Sequence, residues 1–312
     1  MEQLRVKKVP GFKAAEWTKK PRYAQEADAT TCVKSGVQLI DADTGEHVVT
    51  FVPFDQPIAP LLTAVRRLQF QENYRTEGLK SRSCTFGYQP RIPLRRDFCS
   101  VAASAYKRPA EHSELIRYGE ATARAFERLL PREYAQQISM LEAVKPTWKE
   151  AGTHFTSGIV NDRNVLHYHR DAGNFPDALS TMLSLTRDMG PTGGKLILPE
   201  YAVALEYAGF ELTIFNGAKH VHGVTPIMLS SAASYRFTVV YYALAAMARC
   251  GTPQEELQRI KKIKTQREEG RTSAKSAALR ERLLNSSGMS EAEMAEAAKR
   301  SVHFEKRKLR KK

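Results

Sequence analysis

Two side chains that bind metals lie one residue apart in the segment NVLHYHRDAGNF, residues 164–175. His169 and Asp171 point to the same face if this segment is a strand, because alternate side chains of a strand share a face. A further imidazole is available downstream in FNGAKHVHGVTPI, from either His220 or His222. Two histidines and one carboxylate on one face of iron, with open positions opposite, form the ligand set of non-haem Fe(II) oxygenases. The spacing therefore predicts an iron site whose third ligand is one of the two downstream histidines.

An arginine suited to a carboxylate follows 14 residues after His222, in the strand-like run YRFTVVYY. Arg236 and Thr238 share a face of that predicted strand, and a guanidinium binds both oxygens of a carboxylate in one plane. A surface ion pair is the alternative for Arg236. Its apolar neighbours favour a side chain that points into a barrel, where an unpaired charge is costly. Because a dicarboxylate would satisfy this charge, the pattern predicts a 2-oxoglutarate/Fe(II) dioxygenase.

The elements that must position these residues are short strands. From Thr153 to Tyr242, β-branched and aromatic runs are punctuated by Gly, Pro and Asn, which predicts a sandwich or barrel with a jelly roll as the leading candidate. Upstream, the patterns predict a β-hairpin over 37–54, a helix over 58–76 and two helices over 111–144. The whole chain is therefore predicted to be α+β.

We expect a double-stranded β-helix (jelly-roll) core flanked by helices, with a basic helical C-terminal tail. Residues 1–80 would form an N-terminal basic arm, hairpin and helix that cover the core, with residues 1–30 irregular. Residues 81–248 would form the dioxygenase domain with its preceding helices. Residues 249–312 would form the basic helical tail, because their periodicity is helical and their last turn is rich in Lys and Arg.

Composition excludes several classes of protein. With 42% hydrophobic and 26% charged residues, the 312-residue chain is globular and long enough to bury a core without cross-links. The cysteines are too scattered for a disulfide framework or a zinc site and favour a reducing compartment: Cys32, Cys84, Cys99 and Cys250. No apolar run of about 18 residues and no signal peptide is recognisable, so we expect neither membrane insertion nor secretion.

The charge of the chain points to a polyanionic partner. The net charge is +14, and residues 251–312 carry 17 Lys or Arg against nine Asp or Glu. A fifth of the chain therefore holds more than half of the excess. An uneven basic charge favours nucleic acid as the partner. The alternative is a tail that only solubilises the protein.

The motifs, taken in order, resemble the TET/JBP family of nucleic-acid dioxygenases, and in particular the TET 5-methylcytosine oxygenases. FTSGIVNDRNVLHYHRDAGN followed by LSLTRD resembles the family segment that ends in H-x-H-R-D-x-x-N and continues into a strand. Four further segments resemble family motifs: CTFGYQP, GGKLILPEY, NGAKHVHGVTPI and YRFTVVYY. The resemblance spans residues 84–244. It implies a compact form of the family, because the cysteine-rich zinc region of animal TET proteins is absent from this sequence.

The resemblance implies roles for individual residues. It places the third iron ligand at His222 rather than His220, so that the metal set is His169, Asp171 and His222. It implies cosubstrate contacts from Arg236 and Thr238. Tyr242 and Asn174 take positions near the target base, although an Asn that caps a turn is the alternative. His167 is read as a substrate-pocket residue or as support for a ligand. Arg96 is a further cosubstrate candidate, with a solvated loop position as the alternative.

Two positions depart from the family pattern. Leu244 stands two residues beyond Tyr242, where the TET enzymes place a histidine. Leu196 stands where a cosubstrate-contacting histidine precedes the L-P strand. The first departure leaves open whether the substrate is cytosine-based or thymine-based.

The resemblance implies oxidation of the 5-methyl group of a methylpyrimidine in double-stranded DNA. The favoured reaction converts 5-methylcytosine to 5-hydroxymethylcytosine, and thymine to 5-hydroxymethyluracil comes next. The base must flip out of the duplex, because a stacked base cannot reach a metal inside a barrel. The cofactors would be Fe(II), with 2-oxoglutarate and dioxygen as cosubstrates and ascorbate as a stimulant.

Two alternatives remain open at this stage. One is a dioxygenase that hydroxylates a protein or a small molecule, and the other is a non-catalytic DNA-binding jelly roll. We also expect a monomer without structural zinc or a membrane partner. Its location would be intracellular and DNA-associated, in the host cytoplasm for a virus-encoded protein or in the nucleus for a eukaryotic one.

Overall fold

The computed structural model describes residues 1–74, 80–92, 96–187 and 189–269. The strands in these ranges are β1 Glu2–Val6, β2 Thr31–Val33, β3 Val37–Asp41, β4 His47–Pro53, β5 Gln71–Tyr74, β6 Lys80–Gln89, β7 Ser100–Val101, β8 Ser157–Asp162, β9 Ser180–Arg187, β10 Met189–Gly193, β11 Leu196–Leu198, β12 Val203–Leu205, β13 Phe210–Phe215, β14 Gly223–Val224, β15 Ile227–Leu229 and β16 Tyr235–Tyr242. The α-helices are α1 Ala14–Thr18, α2 Ile58–Arg67, α3 Ser104–Lys107, α4 Pro109–Leu129, α5 Pro131–Met140 and α6 Pro253–Glu269. Among the described helices, none combines the length and the apolar character needed to span a membrane.

Most strands belong to one large sheet. Its order is β1-β3-β4-β13-β9-β16-β8-β6-β5, and β7 pairs with β6 at its side. A four-stranded sheet has the order β14-β11-β12-β2, and β10 pairs with β15. One core cluster joins the two larger sheets, through residues such as Phe51, Met182 and Phe215 of the large sheet and Leu198 and Leu205 of the smaller one. The strands therefore form two layers with a shared interior.

Helices cover the other face of the large sheet. Leu115, Tyr118 and Phe126 of α4 are fully buried, because they recur on one face of the helix. They belong to a second core cluster that also contains Phe86 of β6 and Tyr241 of β16. Apolar packing fills the face of the large sheet that the helices cover. A cavity lined by polar side chains of the strands lies on the opposite face, between the two sheets.

Several predicted elements are present. The hairpin over 37–54 is β3 and β4, which pair antiparallel. The helical region 111–144 contains α4 and α5, and each of these helices begins at a proline. The helix predicted over 58–76 is too long, because α2 ends at Arg67 and β5 pairs with β6. Pairing with a distant strand overrides a helical period that is a purely local pattern.

The N-terminal arm is more ordered than its sequence suggests. Residues 1–30 contain β1, which runs parallel to β3, and the short helix α1. Phe12 and Trp17 pack against a small cluster that includes Ala24 and Tyr168. The prediction of an irregular arm is therefore wrong for these parts, since contacts with distant residues supply the order.

The structure contains a disulfide that the sequence pattern did not predict. Cys99 and Cys250 form a disulfide across a sequence separation of 151 residues, whereas Cys32 and Cys84 are free thiols. Scattered spacing therefore did not exclude a disulfide, because the fold rather than the local sequence brings the two cysteines together. The expectation of a reducing compartment loses this basis.

The first part of the predicted tail is docked on the core. Glu256 of α6 accepts hydrogen bonds from the Arg91 guanidinium and from the Cys99 backbone N–H. Arg259 donates to Asp97 at 2.7 Å. These contacts fix the beginning of α6 beside the disulfide. The remainder of the predicted tail, from residue 270 onward, lies outside the described residues.

Candidate metal centre

His169, Asp171 and His222 come together at the wall of a cavity between the two sheets. One ligand atom of each lies within 4.8 Å of the others. His169 Nε2 is 3.6 Å from Asp171 Oδ1, and His222 Nε2 is 3.8 Å from the same oxygen. No other group of this kind occurs among the described residues. The three side chains could hold one metal ion, with two imidazole nitrogens and one carboxylate oxygen.

The main chain positions these three residues. The His169 N–H donates to the His222 carbonyl at 2.9 Å, and the reciprocal bond measures 3.0 Å. The Asp171 N–H donates to the Gly217 carbonyl at 2.8 Å. The segment that follows β13 is thus fastened to the His-x-Asp segment at both ends. This pairing brings His222 rather than His220 to the other two side chains.

The hydrogen bonds of the imidazoles fix their tautomers. Nδ1 of His169 donates to the His167 carbonyl at 2.7 Å, and Nδ1 of His222 donates to the His220 carbonyl at 3.0 Å. A carbonyl only accepts, so each Nδ1 carries the proton and each Nε2 keeps a lone pair for a metal. Burial lowers the pKa of His222 to about 4, so its ring is neutral at neutral pH. Both observations fit a metal ligand.

The choice between the two downstream histidines leads to a prediction. His220 is buried outside the cavity lining, with Nδ1 3.1 Å from Glu200 Oε2. We expect His222→Ala to weaken Fe(II) binding by more than about 100-fold. Loss of a residue that only supports a ligand costs about 10–100-fold, and loss of the ligand itself should cost more. His220→Ala should bind Fe(II) much more tightly than His222→Ala. Residue 220 supports the site through its backbone carbonyl, which accepts from His222 Nδ1, and alanine retains that carbonyl. Anaerobic Fe(II) titration of both variants compares them, and the reverse order would contradict the ligand assignment.

Gly217 is a positioning residue that sequence reasoning missed. A Cβ at this position would overlap Oδ2 of Asp171 and lie 3.4 Å from Cε1 of His222. Only a residue without a side chain lets the carboxylate occupy its place in the group. The motif FNGAKHVHG offered the glycine, but the close approach to Asp171 depends on the fold.

We predict that Gly217→Ala weakens Fe(II) binding by about 10–100-fold, the range for loss of a contact that orients a ligand. The matched control is Gly209→Ala, where a Cβ would lie 3.6 Å from Glu211 Oε1 in ordinary contact. Anaerobic titration with Fe(II) measures both. Equal affinities of the two variants would show that the carboxylate does not need this space.

The cavity beside the three residues has a volume of about 500 Å³. It also contains most of the other residues singled out in the sequence: Arg236, Thr238, Asn174, Tyr242 and His167. Its size lies within the range of about 300–1,000 Å³ that is typical of small-molecule sites. The structure thus gathers the predicted metal, cosubstrate and substrate residues into one space.

Arg236 projects from β16 into this cavity and is 3% exposed. Its Nη2 donates to the Gly194 carbonyl at 2.9 Å, and its Nε has no hydrogen-bond partner. Burial lowers the pKa of Arg236, which reflects the cost of holding a charge away from water. An anion in the cavity would offset that cost and would occupy the unpaired donor.

Thr238 lies two residues further along β16 and also faces the cavity. Its Oγ1 accepts a hydrogen bond from Nδ2 of Asn161 at 3.2 Å. The threonine hydroxyl proton is therefore left to donate to a ligand. Asn161, which lines the cavity on the neighbouring strand β8, is a contributor that the sequence did not reveal.

Arg96 is not brought to the cavity. Its guanidinium donates to the Gln89 side-chain oxygen and to the Pro90 carbonyl, and it is absent from the cavity lining. Both acceptors lie within seven residues of Arg96, so the side chain stabilises its own loop. The assignment of Arg96 to the cosubstrate therefore gains no support from its position.

The residues predicted to face the substrate occupy the cavity wall in different ways. Nδ2 of Asn174 donates to Ser180 Oγ at 3.3 Å, and its backbone pairs with that of Leu244. The His167 ring packs against Tyr23, with ring centroids 4.0 Å apart. Tyr242 and both leucines that depart from the family pattern, Leu244 and Leu196, also line the cavity. The wall thus combines polar groups with an apolar surface.

Comparison with known proteins adds information on the fold. No protein-family model matches the sequence, and no curated protein matches it. Among solved structures, NgTET1 in complex with 5mC DNA superposes with a TM-score of 0.52 at 14% identity, covering 74% of this chain and 90% of that chain. A 2OG-Fe(II) oxygenase family member from Burkholderia pseudomallei has a TM-score of 0.42 at 13% identity, covering 63% and 88%. OsALKBH1 has a TM-score of 0.40 at 12% identity, covering 62% and 97%.

The chain is an α+β protein with a double-stranded β-helix, which confirms the predicted fold. It shares this fold with NgTET1, in agreement with the family that its motifs resemble. The likeness establishes the fold, and the chemistry rests on the residues of the cavity.

Proposed function

We propose that the protein is a 2-oxoglutarate- and Fe(II)-dependent dioxygenase that oxidises the 5-methyl group of a methylpyrimidine in double-stranded DNA. One observation carries this proposal. A group of two histidines and one aspartate shares a cavity with a buried arginine whose Nε is unpaired. The first feature suits a metal with open coordination positions, and the second suits the carboxylate of a cosubstrate.

His169, Asp171 and His222 would hold the metal through Nε2, a carboxylate oxygen and Nε2. When bound, Fe(II) supplies the activation of dioxygen that is coupled to decarboxylation of 2-oxoglutarate to succinate. The protein's part is to orient both imidazoles, which the hydrogen bonds from each Nδ1 to the carbonyls of His167 and His220 do. Backbone hydrogen bonds between His169 and His222 fix the third ligand beside the other two.

Arg236 and Thr238 would bind the carboxylate of 2-oxoglutarate that is distant from the metal. The guanidinium offers its unpaired Nε, and the threonine offers its hydroxyl proton, because Thr238 Oγ1 already accepts from Asn161. Leu196 and Val240 flank this region with apolar surface. Apolar walls exclude water and strengthen the charge-assisted hydrogen bonds.

A flipped base would enter beside Asn174 and Tyr242, which line the same cavity as the metal group. One N–H of the Asn174 amide donates to Ser180, which leaves its carbonyl oxygen and its second N–H available to a base. The net charge of +14 supports a polyanionic substrate. The fold likeness to NgTET1, solved with 5mC DNA, also supports this choice. We favour 5-methylcytosine and place thymine second.

The proposal extends to the whole chain. The basic tail, residues 249–312, would add phosphate affinity that does not depend on sequence, and α6 would anchor it. The protein would act as a monomer on intracellular DNA. The phosphate affinity of the tail follows from the charge pattern of the sequence.

Mass spectrometry of nucleosides tests the substrate. Methylated and unmethylated duplex DNA of the same sequence is incubated with protein, Fe(II), 2-oxoglutarate and ascorbate, and the digested nucleosides are quantified. We expect 5-hydroxymethylcytosine from methylated DNA only, and none without 2-oxoglutarate. Succinate formed without any change in the nucleosides would indicate a protein or small-molecule substrate. DNA binding without succinate would indicate a non-catalytic module.

A further inference from the structure

A segment of the N-terminal arm lies directly beside the residues that precede the metal group. The Tyr168 N–H donates to the Arg22 carbonyl at 2.9 Å, and the backbone of Tyr23 pairs antiparallel with that of His167. His169 follows directly after Tyr168. Arg22 and Tyr23 therefore border the same segment that carries two of the three candidate ligands.

Side-chain contacts hold this segment in place. The Arg22 guanidinium lies 3.8 Å from the Trp17 ring centroid and pairs with Asp28 at 2.5 Å. Asp28 in turn accepts a hydrogen bond from the Tyr168 hydroxyl at 2.9 Å, and Trp17 packs edge-on against the Tyr168 ring. The arm is thus fastened to the core on both sides of Tyr23. A surface formed here would be preorganised.

Tyr23 presents an aromatic face at the border of the cavity. Its ring packs on His167, which lines the cavity, yet 49% of Tyr23 is exposed. An exposed aromatic ring next to a substrate cavity is a surface on which a nucleobase stacks, whatever its sequence. The folded arm, rather than the central strands, supplies this ring.

The charges around Tyr23 are unevenly paired. The acids of the arm nearest Tyr23 in sequence are neutralised locally, since Glu16 pairs with Lys13, Glu26 with Lys195 and Asp28 with Arg22. Three exposed cations show no ion pair within the described part of the chain: Lys19, Lys20 and Arg170. Arg170 also lines the cavity, between two of the candidate ligands. The local surplus is positive and available to an anionic partner.

We propose that Tyr23, Lys19, Lys20 and Arg170 form a strand-binding rim for DNA at the opening of the cavity. Tyr23 stacks on a base of the strand that carries the target, and the three cations contact its phosphates. This inference rests on the proposed function for its choice of DNA. It adds a specific surface, and it makes the N-terminal arm part of the substrate site.

The test measures binding apart from turnover. Full-length protein with Fe(II) and 2-oxoglutarate under anaerobic conditions is titrated into a fluorescein-labelled duplex containing one 5-methylcytosine, at several salt concentrations. We expect Tyr23→Ala to weaken binding roughly tenfold, the effect of losing one stacked base, and Tyr23→Phe to restore it. The double variant Lys19→Ala/Lys20→Ala should lower the salt slope by about 2, since each phosphate contact contributes about 0.9.

Matched controls separate the rim from general surface effects. Tyr106→Ala removes a tyrosine that is 76% exposed on α3 and lies outside the cavity lining. Arg128→Ala/Arg132→Ala removes two exposed arginines of α4 and α5, outside the arm and the tail. Equal loss in the Tyr23 and Tyr106 variants, or an unchanged affinity of Tyr23→Ala, would overturn the rim. Absence of 2-oxoglutarate turnover in air, with the Tyr23 effect on DNA binding intact, would overturn the proposed activity and leave the rim standing.

Discussion

Replacing Asp171 with alanine is expected to abolish turnover and to weaken Fe(II) binding by more than about 100-fold. Its carboxylate oxygen lies 3.6 Å and 3.8 Å from the two histidine Nε2 atoms, and it is the only acid in the group. Without it, only the two imidazoles remain, and they supply no negative charge to a divalent cation. Loss of a ligand should exceed the 10–100-fold effect that is typical of losing a contact to a ligand.

Anaerobic Fe(II) titration and 2-oxoglutarate decarboxylation measure the Asp171→Ala effect independently. Asp177→Ala is the matched control, because Asp177 is an exposed acid six residues along the chain and lies outside the group. This control should behave like the wild-type protein. Wild-type activity of Asp171→Ala would remove the metal assignment, and with it the proposed function.

The second large effect is expected at the other end of the cavity. Arg236→Ala should raise the apparent KM for 2-oxoglutarate by about 100-fold, since a charge-assisted fork to a carboxylate is worth a few kcal/mol. Fe(II) affinity should remain near the wild-type value, because Arg236 is not part of the metal group. A KM series over 2-oxoglutarate concentration, paired with metal titration, separates the two functions.

A structural role for Arg236 predicts a different result. If the guanidinium only stabilised the fold, its removal would lower the melting temperature and affect all activities together. Arg236 is buried with an unpaired Nε, and holding its charge away from water costs folding free energy. A neutral replacement removes this cost. We therefore expect a melting temperature close to wild type. An unchanged KM for 2-oxoglutarate would contradict the cosubstrate assignment.

The sequence was sufficient where chemistry depends on local periodicity. Arg236 and Thr238 share a face of β16, as alternate residues of a strand do. His169 and Asp171 reach the same cavity, although their segment lies between β8 and β9 and is not a strand. The choice between His220 and His222 was beyond this reasoning, since the two residues have the same parity. Backbone pairing with His169 places His222 in the group, and that contact joins segments 53 residues apart.

Other features depend on contacts that no local pattern encodes. The disulfide between Cys99 and Cys250 and the pairing of β5 with β6 arise from the path of the chain. The need for glycine at position 217 becomes visible only when Asp171 is placed against it. Arg96 shows the converse, because a basic loop that offered a cosubstrate contact uses its arginine within the loop.

The central claim is that this cavity carries out 2-oxoglutarate/Fe(II) chemistry on methylated DNA. Succinate formation by the Fe(II)-loaded full-length protein in air, with and without methylated duplex DNA, tests it most directly. We predict succinate that depends on Fe(II), rises when methylated duplex is added and is lost in Asp171→Ala. Unchanged 2-oxoglutarate in the presence of protein-bound Fe(II) and methylated DNA would contradict the account.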